Sequence, residues 1–193
     1  MLEERESKNL RLFVAVPLWK EFREGALPRY CELRKKDWPL KWVKPENWHL
    51  TLKFLGDTPA SGVREIRQSI RNHVAGSPEF EIELGGLGGF PRLSKMRVFW
   101  VGVREGREAL VRVADSVDKA CVAAGYPGDR KKFQAHLTLA RARSAPVAVD
   151  VPKDTYSGSW GTQVVGGVCL VQSTLEPGGA KYEVLEEILF GSI

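Results

Sequence analysis

Two of the three histidines in this chain open the same tetrapeptide, His-Leu-Thr-Leu, first at His49 and again at His136. The surrounding stretch "WHLTLKFLG" alternates polar and apolar residues with period two, the signature of a half-buried strand. Residues i and i+2 of a strand share a face. Each copy therefore presents an imidazole beside a hydroxyl, while its leucines anchor the opposite face. Imidazole has a reference pKa of about 6.5, so it serves as acid or base near neutrality. Two of them can take a proton from one side of a reacting centre and deliver one to the other. The hydroxyls of Thr51 and Thr138 can donate to non-bridging phosphate oxygens as charge builds there. Phosphodiester cleavage asks for that set of groups, and it requires no metal or other cofactor. Lys53 falls on the predicted His49–Thr51 face and is a candidate phosphate contact.

The elements that must position these residues follow from pattern. "LRLFVAVPL" (10–18) reads as a strand, followed by a helix from Trp19 towards Lys36 with a break or kink at Pro28. Thr58 is placed to cap a helix whose stripe is Val63, Ile66, Ile70 and Val74. "FEIEL" reads as a strand, "GGLGGFPRLSKM" as a glycine-rich loop, and "RVFWVGV" as an apolar strand. Leu110, Val113, Val117 and Cys121 mark another helix, and residues 144–161 read as loop. The remaining strands are "FQAHLTLAR", "VVGGVCLVQSTL" and "KYEVLEEILF".

The repeat reaches beyond the tetrapeptide. His49 and His136 lie 87 positions apart, and the same shift lays "FVAV" (13–16) on "WVGV" (100–103) and "FEIEL" on "GVCLV". An internal duplication accounts for this, and two copies imply a pseudo-two-fold pair of lobes. "GGLGGF" lacks the GxGxxG spacing of a dinucleotide fold and leads towards a strand. The expected class is α+β, with two antiparallel-rich sheets and helices on their outer faces.

At 193 residues and 43% hydrophobic, the chain suits one domain of two intertwined lobes spanning 1–193. No apolar run reaches the roughly 18–20 residues of a membrane span, and the N-terminus has no signal-like apolar stretch. A cytoplasmic protein is expected, without membrane association and monomeric. Three widely spaced cysteines with no CxxC pair argue against a disulfide framework and a cysteine zinc site. A zinc ion held by His49 and His136 lacks an identifiable third ligand. The net charge of +5 fits an anionic partner as well as simple solubility.

The paired motifs, their spacing and their strand context resemble the 2H phosphoesterases. Within these, "WVKPENWHLTLKFLG", "GFPRLSKMRVFWVGV", "FQAHLTLAR" and "STLEPGGAKYEVL" look like the LigT-like RNA 2′,3′-cyclic phosphodiesterases, also called 2′-5′ RNA ligases. The resemblance implies a bilobal fold around a V-shaped cleft. It implies hydrolysis of an RNA-terminal 2′,3′-cyclic phosphate to a 2′-phosphomonoester, with reverse 2′-5′ ligation as the same chemistry run backwards. By the same likeness His49 is the proton donor to the departing 3′ oxygen, and His136 the acceptor that activates water. Thr51 and Thr138 hold the phosphate. Arg141 matches the family's phosphate-binding arginine, provided the strand ends or bulges before it, since regular alternation points it away. Ala135 stands where the family has proline, a change in local rigidity more than in chemistry.

Other residues extend this reading. Arg34, Lys35, Lys36, Lys41 and Lys44, and then Arg130, Lys131 and Lys132, precede the two motifs and would draw in an RNA backbone. Trp42, Trp48, Phe90 and Phe133 are candidates for stacking a base, with core packing expected for at least two of them. Arg64, Arg67 and Arg71 read as a solvated helix face, and His73 as a helix C-terminal residue without a catalytic role. Two alternatives stand beside the enzyme: a non-catalytic module that binds an RNA or nucleotide phosphate, and a phosphodiesterase for small cyclic nucleotides.

Overall fold

The computed structural model describes residues 9–151, 157–177 and 179–191. Strand β1 (Asn9–Pro17) leads into helix α1 (Lys20–Arg34), then β2 (Leu40–Trp42) and β3 (His49–Pro59). Helix α2 (Val63–Val74) is followed by β4 (Phe80–Phe90), β5 (Val98–Glu105) and helix α3 (Arg107–Ala123). The chain closes with β6 (His136–Ala142), β7 (Ser159–Val165), β8 (Gly167–Glu176) and β9 (Gly179–Leu189).

The strands form two sheets, ordered β3-β1-β8-β9 and β2-β6-β5-β4-β7. Every named pairing is antiparallel. The fold is α+β, as its alternating patterns indicate. Displacement by 87 positions carries β1 onto β5, α1 onto α3, β3 onto β6 and β4 onto β8. The triplet β3-β1-β8 in one sheet is therefore matched by β6-β5-β4 in the other. Each half also lends strands to the sheet of the other, β2 and β4 in one direction and β8 and β9 in the other, so neither sheet forms from one copy alone.

Apolar spacing sets the packing. Helix α1 buries Phe22, Ala26, Tyr30 and Leu33 on one face and leaves Pro28 on the exposed side. Solvent can there satisfy the carbonyl that proline's missing N–H abandons. Helices α2 and α3 bury Ile66, Ile70 and Val117 completely, and Ser69 Oγ donates to the Ala120 carbonyl at 2.8 Å. Strand β1 is buried on both faces. Leu12, Val14 and Val16 join the main core under the helices, whereas Phe13 and Ala15 pack with Cys169 and Val171 in a second cluster.

Several sequence expectations are corrected. Thr58 does not cap a helix: it is a fully buried residue of β3, and a 3₁₀ turn at Ala60–Gly62 precedes α2. The glycine-rich segment is a connection only after Phe90, because β4 runs through Gly85, Gly86, Gly88 and Gly89 to that residue and a 3₁₀ turn at Leu93–Lys95 follows. The Trp100 ring explains this. A Cβ at Gly88 would lie 2.1 Å from it, so an absent side chain is what lets the indole lie on the strand. Strand β7 starts at Ser159, inside the span read as loop, and residues 152–156 of that span lie outside the described residues. Arg67 and Arg71 do not merely solvate α2, since both pair with Glu186 of β9, Arg67 at 3.1 Å. Among the described residues, no helix is long and apolar enough to cross a membrane.

Candidate active site

His49 opens β3 and His136 opens β6, the corresponding strands of the two sheets. Their surroundings repeat along with their positions. His49 Nδ1 lies 2.8 Å from the carbonyl of Asn47, and His136 Nδ1 lies 2.7 Å from that of Gln134. A carbonyl only accepts, so Nδ1 carries the proton in both rings, leaving Nε2 for chemistry. The Thr51 hydroxyl lies 3.0 Å from His49 Nε2 and donates to it when the ring is neutral.

Aromatic rings hold each imidazole from two sides. Phe13 is tilted against His49 at 4.8 Å and Tyr182 meets it edge-on at 5.2 Å. Trp100, the counterpart of Phe13 in the second half, is tilted against His136 at 6.2 Å, and Phe90 meets it edge-on at 4.9 Å. Sequence reasoning missed Phe13, Tyr182 and Trp100. The displacement of Phe13 onto Trp100 was the signal available for two of them.

A bulge then reorients each strand. In β3, Ala15 faces Thr51 but Val14 faces Lys53, so Leu52 is the extra residue. In β6, Trp100 faces Thr138 but Phe99 faces Ala140, so Leu139 is the extra residue. One inserted residue reverses the facing of everything after it. Arg141 is thereby returned to the face of His136 and Thr138, which meets the condition set by the sequence.

The same device removes Lys53 from the site. Lys53 is only 2% exposed and points away from the cleft, with its ammonium 2.5 Å from Asp118, 2.9 Å from Asp129 and 2.8 Å from the Pro127 carbonyl. Burial by itself would lower its pKa, but the two carboxylates hold it above the ordinary value. It clamps the loop that leads towards His136, and it does not contact the cleft. Because Asp118 and Asp129 remain partly exposed, Lys53→Met should cost about 2 kcal/mol of stability, short of a fully buried pair. Chemical denaturation of the variant measures this directly.

A cavity of about 810 Å³ opens between the sheets, lined by His49, Thr51, Thr138 and Arg141 together with Lys41 and Lys44. His136 is not part of this lining, yet it is electrostatically coupled to His49. Burial pushes the His49 imidazole down to about 4. The Asn47 carbonyl opposes that shift, and the charges of Arg141 and His136 add to it. His136 is lowered as well, by burial and by Arg141, against the Gln134 carbonyl. One guanidinium therefore acts on both imidazoles.

The other candidates divide. Trp42 is half-buried on the cavity wall, while Trp48, 3% exposed, is core against Tyr30 and cannot stack a base. Phe133 packs on the main core, and Phe90 is taken up in supporting His136. Of the basic residues, Lys41 and Lys44 reach the cavity, Arg34 lies over the Tyr30 ring and Lys35 pairs with Glu32. Arg130, Lys131 and Lys132 are exposed. Cys121 and Cys169 are buried thiols, both raised to about 11 by burial. Among the described residues no three of His, Cys, Asp and Glu gather as metal ligands.

A family model described as LigT like Phosphoesterase matches residues 18–100. A protein of Archaeoglobus fulgidus named RNA 2′,3′-cyclic phosphodiesterase is 38% identical over 177 residues, covering 91% of this chain and 98% of its own. The chain belongs to the LigT-like phosphoesterases. A crystal structure from Thermus thermophilus superimposes with a TM-score of 0.80 at 30% identity, over 94% of this chain and 98% of that one. The LigT of E. coli, solved with 3′-AMP, gives 0.78 at 26% identity, over 96% and 100% of the two chains. The LigT-like fold thus embraces both sheets and the cavity between them.

Proposed function

We propose that this protein hydrolyses RNA-terminal 2′,3′-cyclic phosphates to 2′-phosphomonoesters by acid–base catalysis between its two histidines. The observation that carries the reading is the pair of Nδ1-anchored imidazoles on matching strands, with Thr51, Thr138 and Arg141 beside them. The names of its relatives support the substrate class. His136 Nε2 takes a proton from water as its oxygen attacks phosphorus. The bond from phosphorus to O3′ breaks, and His49 Nε2–H delivers a proton to that oxygen. Thr51, Thr138 and Arg141 donate to the non-bridging oxygens as charge accumulates on them. The reverse step, with an RNA 5′ hydroxyl replacing water, forms a 2′-5′ linkage; hydrolysis dominates in dilute aqueous solution. The chain works as one domain, a reading supported by the two strands that each sheet takes from the other half.

The depressed imidazoles give the activity a signed pH dependence. The productive state carries one proton on the pair, and in the free enzyme that proton leaves below the ordinary histidine value. An arriving phosphate anion stabilises the imidazolium, and the Thr51 hydroxyl is freed to turn towards it. Accordingly kcat/KM should peak in mild acid and fall about tenfold per pH unit on the alkaline side of about 6.5, while the limbs of kcat lie at higher pH. Steady-state kinetics on a short RNA with a cyclic phosphate end tests this. A flat profile between about pH 5 and 9 contradicts the two-histidine assignment.

A further inference from the structure

The two halves of the cleft are not chemically equal, and the inequality falls at one position. Under the 87-residue displacement, Arg141 of β6 corresponds to Phe54 of β3. Both follow the bulged leucine of their motif, and both are turned by it from the core towards the cavity. One half thus carries a cation beside its threonine and the other an aromatic ring. Phe54 is 63% exposed on the edge strand β3, and Leu175 of β8, 70% exposed, lines the same cavity. Phe13 stands beside Phe54 with ring centroids 6.1 Å apart. These side chains give the first sheet an apolar floor beyond the histidine.

Arg11 lies at the far end of that floor. Along the cleft face of β1 the order is Ala15, Phe13, Arg11, with Ala15 opposite Thr51 and Phe13 opposite Phe54. Four residues of strand place the Arg11 backbone about 13 Å from the threonine that holds the reacting phosphate. Arg11 is exposed and lines the cavity, and no salt bridge engages it among the described residues, although Asp57 stands opposite it and Glu176 also lines the cavity. A single site for a small cyclic nucleotide needs neither an aromatic floor leading away from the phosphate nor a cation beyond it. A strand of RNA does, because each nucleotide brings a flat apolar face for stacking and a further phosphate.

We propose that Phe54 and Arg11 form a subsite for the RNA on the 5′ side of the cyclic end. Phe54 stacks a base on the floor shared with Phe13 and Leu175, and Arg11 holds a backbone phosphate upstream of the reacting one. The subsite makes the enzyme selective for oligonucleotide ends over nucleoside 2′,3′-cyclic phosphates. This rests on the reading of the histidine centre given above and adds to it a direction for the substrate.

The test compares wild type with Arg11→Gln and Phe54→Ser on two substrates, a nucleoside 2′,3′-cyclic phosphate and a tetranucleotide ending in the same group. Arg11→Gln should lower kcat/KM for the tetranucleotide about tenfold, as expected for a lost charge-assisted contact, and leave the nucleoside substrate unchanged. The slope of log(kcat/KM) against log salt for the tetranucleotide should shrink by about 0.7. Phe54→Ser should likewise weaken the tetranucleotide more than the nucleoside. Equal effects on both substrates, or none on either, overturn the subsite. Affinity for the tetranucleotide 2′-phosphate, measured by fluorescence anisotropy, separates the two layers of the reading. If wild type turns over neither substrate, the histidine chemistry fails. Weaker tetranucleotide binding by Arg11→Gln then still supports the subsite, and unchanged binding removes it.

Discussion

Replacing His136 with alanine is expected to lower kcat for cyclic-phosphate hydrolysis by about a thousandfold while the protein stays folded, and His49→Ala should do the same. A positioned acid or base contributes about 10²–10⁴ to a rate, and each imidazole is assigned one proton transfer on opposite sides of phosphorus. Both rings are half-buried against aromatic neighbours and outside the main core, so their loss trims local packing without opening that core. Thermal denaturation should therefore show only a small loss. The double variant should be scarcely slower than either single one, because acid and base act as a unit. A drop of less than tenfold for either single variant removes that histidine from the chemistry.

Arg141→Ala carries the second large effect, and it has two separable parts. In the proposed mechanism the guanidinium donates to the phosphate, and losing such a donor should reduce kcat by about a hundredfold. The same charge lowers the pKa of both His49 and His136. Its removal leaves the burial of both rings in place but lifts one depressing influence, so both limbs of the pH–rate profile should move to higher pH. Arg141→Lys keeps a charge and should largely restore the positions of the limbs. It should recover only part of the rate, because an ammonium cannot match the two-pronged geometry of a guanidinium. A slower Arg141→Ala enzyme with unmoved limbs would mean that the charge touches the phosphate without tuning the imidazoles.

The centre of this site was legible because its signal is local. Histidine and threonine two residues apart, with leucines between and after them, fix a strand face by period alone. The repetition of that pattern at a constant displacement disclosed the duplication and hence the pairing of the sheets. What alternation could not disclose was backbone register. The bulges at Leu52 and Leu139 leave no mark in the polar–apolar pattern: regular alternation puts Lys53 on the cleft face and Phe54 with the leucines on the opposite one, and the structure reverses both. The duplication did hold a hint: Lys53 corresponds to Ala140, a small apolar residue out of place beside a phosphate.

The glycine-rich segment illustrates the opposite failure. Propensity reads GGLGG as a loop, but here a neighbouring strand supplies the reason for the glycines, namely the space taken by Trp100. Only tertiary contact shows this. Trp48 was similarly ambiguous, since a tryptophan adjoining a catalytic strand serves equally as platform or core. Its contact with Tyr30, itself fixed by donating to the Val43 carbonyl at 2.6 Å, decides for core. The aromatic rings that do stand in the cleft, Phe13, Phe54 and Tyr182, lie on three different strands, and nothing short of sheet order assembles them.

The most direct test of the central claim is to incubate a short oligoribonucleotide bearing a 2′,3′-cyclic phosphate with EDTA-treated protein and identify the product, in parallel with His49→Ala and His136→Ala. The two-histidine account predicts a 2′-phosphate end, formed at an unchanged rate in EDTA and about a thousandfold more slowly by either variant. Hydrolysis at near wild-type rate in both variants, or hydrolysis that EDTA abolishes, would contradict it.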